Sequence, residues 1–520
     1  MSTGLGDLLQ LIERGRQFRN AGRWGDAIAC YAAANELNSA RYDIKHNLAL
    51  SLVAANRPDD AMRFLDHALA LKPDLWPSHV LKAKVLRGRG CAEEADAVLS
   101  HILAHDRMNG HALLAAADLD MNEFGDAVAA RARVAPLLND PTFRADAELT
   151  TLMSKLYDRD ESDEELSRQL MDFAGRELCL PGFAFTAEAL AGVPKYTGRR
   201  RVGLMSPMFC LSPVYFLTFA AFSALAEQVD FILLNRGSKD DSGTAAFRGI
   251  AAEWHDVQHL EAAELANAIK RQSLDILFDL GGWSDPIGLK ALSTKPASRL
   301  YKWVGGQSAT TGLTTFDGFL TDRLQSPAAA EALHTEPLLR CEGSYVAYSP
   351  PPYMPATRAN RTIDLAIVAN PAKISCAMAE HMARTHTAPV TLIDSRFRHA
   401  KTRQNLQSRL PRIHAFIAPK SHAEFLEGLA TCRQVMDTGP YCMGLTACEA
   451  ITAGVTIIPS KIQSNIISGR HSRTHIKNSN RRPKGKVMNV IMDLILHESF
   501  HSPILIQSIE NRSRTNIQPE

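Results

Sequence analysis

A 34-residue period in the first part of the chain constrains the fold more than any other feature of the sequence. Alanines recur at Ala27, Ala61 and Ala95, each 34 residues after the one before, and a tyrosine or leucine follows each by four residues. Small side chains at this spacing let two antiparallel helices approach closely, while larger ones fill the gaps between pairs. The period therefore predicts an α-solenoid of stacked helix pairs over positions 8–139. The alternative, an unrelated helical bundle, does not account for the threefold spacing.

The residues of this period resemble the tetratricopeptide repeat. Three repeats cover about positions 8–109. A weaker fourth repeat follows, in which Gly125-Asp126-Ala127 has the same residues as Gly25-Asp26-Ala27. The resemblance implies a concave surface that binds a protein partner. A connector follows at 140–198, with a helical pattern and an acidic stretch at 158–165 that predicts a solvated face.

Charge, hydropathy and cysteine content disfavour several classes of function. Lys and Arg total 58 against 56 Asp and Glu, whereas proteins built around the phosphate backbone of nucleic acid normally have a strong basic excess. No apolar run reaches the ~18 residues of a transmembrane helix, and the first residues lack the pattern of a signal peptide. Nine cysteines without a CxxC pair favour reduced thiols in a cytoplasm. We therefore expect a cytoplasmic protein that acts without a membrane or nucleic acid.

From position 199 onward, short apolar runs that favour β-strands alternate with segments compatible with helices. The runs lie at 202–205, 229–234, 275–280, 300–304, 316–321, 363–369, 390–394, 413–417, 434–437 and 455–459. Such alternation predicts parallel sheets with crossover helices. Three consecutive prolines at 350–352 separate the runs into two blocks. The sequence therefore predicts two Rossmann-like domains, 199–355 and 356–470, that face one cleft.

Three loops of the second block follow predicted strands, at 370–373, 418–422 and 438–449. Ligands of parallel sheets bind beyond the carboxyl ends of the strands, so these loops are candidates for a binding site. The third loop contains glycines and enters a helix, whose free N–H groups and dipole favour a phosphate group.

Charged residues in these loops suit a nucleotide-sugar. Lys373 and Lys420 would neutralise the diphosphate that leaves during transfer of the sugar. Glu449 would accept hydrogen bonds from ribose hydroxyls, because an ionised carboxylate is purely an acceptor. A lone loop is a weak signal, but all three are expected at one edge of one domain.

The second half of the chain resembles the catalytic region of the protein O-linked N-acetylglucosamine transferase family, which includes SPINDLY-like fucosyltransferases and bacterial relatives. The segments that carry the resemblance are 201–206, 275–282, 303–305, 319–322, 326–327, 437–438 and 453–454. That family joins tetratricopeptide repeats to a GT-B catalytic pair, so the resemblance covers about positions 8–470 and implies a GT-B fold. It implies an inverting transfer of a sugar, most commonly N-acetylglucosamine, from a UDP-sugar to a protein acceptor. It also implies that neither a metal nor a cofactor takes part.

The resemblance assigns roles to residues of the three loops. Lys373 matches an essential lysine that contacts the diphosphate, and Asn370 stands where the family has a glutamine that contacts the nucleotide. Lys420 matches a lysine that touches the uracil or ribose. Thr446 matches a threonine that binds the pyrophosphate, and Glu449 replaces an aspartate that binds the ribose.

Other positions match the family less closely. His255 falls near a family histidine close to the sugar and the acceptor, so it is the second catalytic candidate beside Lys373. The family's His-Thr-Thr in the nucleotide loop is here Gly444-Leu445-Thr446, which we place in the nucleotide-sugar site. A glycine-asparagine-histidine-proline turn is replaced by Cys210-Leu211-Ser212-Pro213. Ser212 does not substitute for histidine as a base, because its hydroxyl stays protonated near pH 7.

Two functional alternatives therefore remain open at the level of the sequence. The retained Lys373 favours an active glycosyltransferase. The changes at Ser212 and Leu445 favour a tetratricopeptide-repeat scaffold joined to a degenerate GT-B shell. The donor sugar and the acceptor are not determined by these residues.

The resemblance ends near position 470, and we interpret 471–520 as a divergent basic tail that is solvated or disordered. Within it, the residues His497-Glu498-Ser499-Phe500-His501 match the HExxH pattern of zinc proteases. Pro503 interrupts a helix directly after the motif, and 19 residues follow it. A chance match is therefore preferred to a zinc protease, and we expect no metal site.

Overall fold

A computed structural model describes most of the 520-residue chain. The described residues are 2–182, 198–305, 309–410, 412–460, 466–467, 469–478 and 484–496. No helix within these ranges is both long and apolar enough to cross a bilayer. The HExxH segment at 497–501 lies outside the described residues.

Antiparallel helix pairs form the first part of the chain, as the 34-residue period predicts. The helices are α1 (Ser2–Asn20), α2 (Trp24–Leu37), α3 (Tyr42–Ala54), α4 (Pro58–Leu71), α5 (Trp76–Gly88), α6 (Ala92–His105), α7 (Gly110–Asn122) and α8 (Ala127–Val134). Ala27, Ala61 and Ala95 are 0% exposed, because each lies where two helices meet. A Cβ on Gly15 would lie 2.9 Å from the ring of Tyr31, so this contact also needs a very small residue.

The connector consists of helices α9 (Arg144–Lys155) and α10 (Asp163–Phe173), followed by the π-helical turn Ala174–Leu178. Leu166 and Leu170 are fully buried against the first sheet, in the same apolar cluster as Ile232. The connector therefore packs as part of the domain that follows it.

The acidic stretch at 158–165 differs from the solvated face that its charge predicts. Asp158 accepts a hydrogen bond of 3.0 Å from the backbone N–H of Cys376. Asp163 pairs with the buried guanidinium of Arg159 and accepts from the backbone N–H of Ile466. These two carboxylates accept hydrogen bonds from backbone N–H groups of distant segments, so their role is structural rather than only to interact with solvent.

The first Rossmann-like domain contains a seven-stranded parallel sheet in the order β3-β2-β1-β4-β5-β6-β7. Its strands are β1 (Arg201–Ser206), β2 (Asp230–Asn235), β3 (Ala251–Asp256), β4 (Ile276–Asp279), β5 (Arg299–Lys302), β6 (Gly318–Asp322) and β7 (Leu338–Cys341). Its helices are α11 (Pro213–Ser223), α12 (Ser242–Ile250), α13 (Ala262–Arg271) and α14 (Pro286–Leu292). The sequence pattern misses β3 and β7, because these edge strands are only partly buried and carry polar residues.

The second Rossmann-like domain contains a five-stranded parallel sheet in the order β10-β9-β8-β11-β12. Its strands are β8 (Ile363–Val368), β9 (Val390–Ile393), β10 (Ile413–Ile417), β11 (Cys432–Met436) and β12 (Thr456–Ile458). Its helices are α15 (Cys376–Thr385), α16 (Ala400–Gln407), α17 (His422–Ala430) and α18 (Leu445–Thr452). The two domains face a shared cavity, as the alternation of strands and helices predicts.

The prediction of a solvated tail after position 470 is wrong for the residues of that segment that the structure describes. Helices α19 (His471–Asn478) and α20 (Lys484–Leu496) pack on the two domains. Four side chains of α20 are buried in the core of the first domain: Val487, Ile491, Leu494 and Ile495. Their spacing of three to four residues is that of one face of a helix. The prediction of a solvated tail relied on the basic residues that precede this helix, and these hide its apolar pattern in the composition.

Helix α19 lies across the boundary between the domains. Thr474 donates a hydrogen bond of 3.0 Å to Asp322 at the end of β6, and Ser472 donates to Asp437, which follows β11. One short helix is thus held by the carboxyl ends of a strand from each sheet.

The solenoid is anchored to the second domain by charged and close contacts. Lys401 in α16 pairs with Asp96 at 2.9 Å and Asp120 at 3.3 Å, and its ammonium lies 4.2 Å from the ring centroid of Phe124. Gly125 has a φ of +69°, and a Cβ there would lie 2.3 Å from the Cβ of Pro371. The fourth repeat therefore rests directly on the turn that contains Lys373.

Candidate functional site

A cavity of about 770 Å³ lies between the two Rossmann-like domains. Its second-domain wall contains all seven residues of the predicted nucleotide-sugar site: Asn370, Lys373, Lys420, Gly444, Leu445, Thr446 and Glu449. They come from the loops that follow strands β8, β10 and β11 and from the first residues of helix α18, which the third loop enters. The structure thus brings together three loops that are distant in the sequence.

Lys373 ends a short 3-10 turn, Pro371–Lys373, directly after β8. The Asn370 Oδ1 closes this turn by accepting a hydrogen bond of 3.0 Å from the backbone N–H of Ala372. The Lys373 Nζ donates to the carbonyl oxygen of Cys442 at 3.1 Å and lies 4.1 Å from the ring centroid of Tyr441. Burial lowers the pKa of the Lys373 ammonium. Within the described residues, no carboxylate forms an ion pair with it, so its charge is available to a bound anion.

The loop before α18 is held by the buried carboxylate of Asp437. Its Oδ1 accepts hydrogen bonds of 2.8 Å from the backbone N–H groups of Thr438 and Met443. Burial raises the pKa of this carboxyl group. Gly444 then precedes the first turn of α18, where a Cβ would meet nothing within 4 Å. The backbone N–H groups of this turn therefore border an open space large enough for phosphate oxygens.

Leu445 fills part of the contact between the two domains. It packs in an apolar cluster with Leu217 and Tyr345 of the first domain and Cys448 of its own helix. The leucine that replaces a polar family residue therefore joins the two walls of the cavity.

Glu449 has a partner that the sequence did not indicate. Its carboxylate is 2% exposed and lies 2.8 Å from the Nε2 of His422, whose Nδ1 lies 3.0 Å from the hydroxyl of Tyr353. His422 contacts one carboxylate oxygen of Glu449, and the expectation that Glu449 accepts from ribose hydroxyls stays a prediction. The pair of His422 and Glu449 forms the polar wall, while Lys420 is exposed at the rim.

His255, the second catalytic candidate from the sequence, lies in the first domain. It is in the edge strand β3, and its Nε2 lies 3.1 Å from Glu253 on the same face of that strand. It is not among the described residues that line the cavity. The catalytic role of His255 therefore stays a prediction, and the partner of its ring is Glu253, which also pairs with Arg201.

The cavity wall from the first domain is largely apolar. Ser212 is 6% exposed and donates from its Oγ to the carbonyl oxygen of Met208 at 2.9 Å, so it stabilises the start of α11. Described residues of this domain that line the cavity include no histidine, lysine, arginine or carboxylate. The lining residues of this wall are Met208, Pro213, Val214, Leu217, Ser284, Val304, Gly305, Phe319, Leu320, Gln325 and Tyr345.

Several lining residues were missed by the sequence reasoning. Asp394, Ser395 and Arg398 follow the predicted strand β9, so the rule that ligands bind beyond strand ends would have found them. Tyr157 and His471 gave no such signal, because they lie in the segments interpreted as a connector and a solvated tail.

Comparisons with known proteins support the resemblance noted in the sequence. No protein-family model matches the chain. Over 341 residues, 61% of its length, it is 25% identical to a probable UDP-N-acetylglucosamine–peptide N-acetylglucosaminyltransferase SPINDLY of Eustoma exaltatum subsp. russellianum, covering 36% of that protein. The SPINDLY protein of Solanum lycopersicum is 24% identical over 278 residues, covering 49% of this chain and 30% of that protein. The chain thus spans about a third of the length of the curated relatives it matches.

Among solved structures, a mutant O-GlcNAc transferase of Thermobaculum terrenum aligns with 99% of this chain and 94% of its own. The TM-score is 0.57 at 18% sequence identity, which shows the same fold. The predicted resemblance to the O-linked N-acetylglucosamine transferase family is confirmed, as is an α-solenoid followed by a GT-B pair of domains.

Proposed function

We propose that the chain is a glycosyltransferase that moves a sugar from a UDP-sugar to a protein acceptor, with N-acetylglucosamine as the expected sugar. The transfer would invert the anomeric centre and need neither a metal nor a cofactor. The relatives named above support the reaction class, since they are described as peptide N-acetylglucosaminyltransferases.

One observation carries the proposal: the Nζ of Lys373 lies at the cavity between the domains and donates to a carbonyl oxygen, and no carboxylate of the described residues forms an ion pair with it. The first turn of α18 lines the same cavity through Gly444, Leu445 and Thr446. An ammonium and the amino end of a helix are the groups that stabilise a nucleoside diphosphate.

The same groups would promote departure of the diphosphate. Negative charge develops on it as the bond to the sugar breaks, and a fixed ammonium stabilises that charge more in the transition state than in the ground state. Lys373 would supply this stabilisation from its site beneath the ring of Tyr441, and His422 with Glu449 would hold the ribose.

The tetratricopeptide repeats would recruit the protein acceptor, since stacked helix pairs form extended concave binding surfaces. A cytoplasmic location fits the nine cysteines, all of which are free thiols.

A second candidate is a non-catalytic scaffold with a degenerate GT-B shell. It is favoured by the buried capping role of Ser212 and by the apolar wall of the first domain. Such a scaffold would keep the solenoid and would not turn over a nucleotide-sugar.

Release of UDP from UDP-N-acetylglucosamine by the purified 520-residue chain separates the two candidates. UDP-glucose and GDP-fucose are the comparison donors, and Lys373→Met is the matched variant because methionine preserves the length of the side chain without its charge. We expect UDP release that falls by about 10²–10³-fold in Lys373→Met. No turnover of any donor would favour the scaffold, whereas equal turnover by the two proteins would contradict the role of Lys373.

A further inference from the structure

The first domain provides no obvious group to accept a proton from an incoming hydroxyl. Its described lining residues include no histidine or carboxylate, and Ser212 is occupied as a helix cap. The tail helix α19 does provide one, because His471 lines the cavity between the two domains.

Two contacts define the state of the His471 ring. Its Nδ1 lies 2.8 Å from the Oε1 of Gln325 and 2.9 Å from the hydroxyl of Tyr345. In the tautomer that donates from Nδ1 to the amide oxygen of Gln325, the Nε2 of the neutral ring keeps its lone pair. A histidine oriented in this way through one nitrogen presents the other as a base.

The surroundings of His471 keep its ring neutral at rest. Burial, together with the nearby charge of Lys373, lowers the pKa of His471 to about 3. The titratable groups around it are Lys373, Tyr345, Tyr441 and His475. A diphosphate that accumulates negative charge beside Lys373 would raise the proton affinity of the ring as the reaction proceeds.

Helix α19 holds this ring in a fixed relation to Lys373. Ser472, the next residue, bonds to Asp437 beyond β11, and Thr474 bonds to Asp322 at the end of β6. The rings of His471 and Tyr441 lie 6.3 Å apart between centroids, and Lys373 lies against the same tyrosine ring. The imidazole of His471 and the ammonium of Lys373 thus both contact the ring of Tyr441, within one cavity.

We propose that the Nε2 of His471 accepts the proton of the attacking hydroxyl during sugar transfer, an inference that rests on the proposed function. The acceptor oxygen forms a bond to the anomeric carbon as the bond from that carbon to the diphosphate oxygen breaks. The diphosphate leaves with the electron pair of that bond beside Lys373, and the proton passes from the hydroxyl to the imidazole and then to solvent. Gln325 and Tyr345 are positioning residues, since they act through the ring.

The test uses two substitutions of His471 in the 520-residue chain, with UDP-N-acetylglucosamine as donor and water as acceptor. In His471→Asn, the side-chain amide can still donate to Gln325 but cannot accept a proton at the position of Nε2. We expect kcat for UDP release to fall by about 10²–10⁴-fold, with the Kd for UDP within about twofold of the wild-type value. In His471→Ala, added imidazole is expected to restore part of the rate, which no purely structural role would allow.

His475→Phe is the matched control. His475 lies one turn further along α19 and stacks on Tyr345, and a phenyl ring keeps that contact. We expect its kcat to remain near the wild-type value. A wild-type rate in His471→Asn, or a loss of rate in His471→Ala that imidazole leaves unchanged, would overturn the role of His471. Failure of the wild-type chain to bind UDP would instead overturn the proposed function itself.

Discussion

The ring of Tyr157 stacks on the ring of Tyr441, with centroids 5.0 Å apart and planes inclined by 16°. Tyr157 follows α9 in the connector, whereas Tyr441 belongs to the loop before α18. The Nζ of Lys373 lies 4.1 Å from the centroid of the same Tyr441 ring. The connector therefore reaches the cavity and fixes the aromatic surface against which the central cation lies.

Replacing Tyr157 by leucine is expected to weaken UDP binding. An aromatic pair contributes about 0.5–1.5 kcal/mol beyond its buried area, so the Kd for UDP should rise about twofold to tenfold. Tyr157→Phe keeps the stack and should bind as the wild-type chain does. Isothermal titration calorimetry measures both variants, and equal affinity in Tyr157→Leu would show that the stack does not orient Lys373.

A side chain at Gly125 is expected to disturb the Lys373 turn from the side of the solenoid. Gly125 has a φ of +69°, and a Cβ there would also lie 2.9 Å from the backbone nitrogen of Ala372. Gly125→Ala should therefore cost about 1–3 kcal/mol in the free energy of unfolding and weaken UDP binding.

The control for this change is Gly25→Ala, since a Cβ on Gly25 would meet nothing within 4 Å. Urea denaturation and UDP titration of the two variants give the comparison. If Gly125→Ala matches Gly25→Ala in both measurements, the fourth repeat does not support the turn.

The stability of the chain is expected to fall in acid because of buried imidazoles. Burial lowers the pKa of His475 to about 4, below the ordinary value of about 6.5. The unfolded chain therefore binds more protons between these pH values, so stability is complete above about pH 6.5 and is lost as the pH falls toward 4. The slope is at most about 1.4 kcal/mol per pH unit for each such histidine.

His475→Phe removes this titration while keeping the ring against Tyr345. We expect the unfolding free energy of the variant to depend less steeply on pH between 6.5 and 4, as measured by denaturant unfolding at a series of pH values. An unchanged slope would mean that His475 is not protonated on unfolding in that range.

Helix α20 is expected to contribute directly to the stability of the first domain. Ile491 is 0% exposed within the core of that domain. Ile491→Ala should cost about 2–5 kcal/mol, because it leaves a cavity in a packed core. Asn489→Ala, an exposed change in the same helix, should cost little. Similar unfolding midpoints for the two variants in urea would contradict the packing of α20.

The parts of the fold that were predictable from the sequence are those with a strong local pattern. The period of Ala27, Ala61 and Ala95 sets the solenoid, because helix contacts tolerate only small side chains at those positions. The central strands of both sheets appear in the sequence as continuous apolar runs, because they are buried on both faces. The edge strand β3 does not, since one face is open to water.

The candidate site was predictable where its residues lie in loops that follow the carboxyl ends of parallel strands. Lys373, Lys420 and Thr446 follow strands of one sheet, and parallel topology brings such loops to one edge. Tyr157 and His471 were not predictable in this way, because long-range packing alone brings a connector and a tail helix to the cavity. The role of His255 stays a prediction, because its position on the edge strand β3 shows only its contact with Glu253.

The most direct test of a nucleotide site at Lys373 is a thermal-unfolding titration of the 520-residue chain with UDP. A ligand that binds the native state at a concentration about 100 times its Kd adds about 2.7 kcal/mol of stability. We expect UDP to raise the unfolding temperature of the wild-type chain and to have a much smaller effect on Lys373→Met, whose own fold should remain intact. An equal shift in both proteins, or no shift in either, would contradict the claim that Lys373 forms a nucleotide-sugar site.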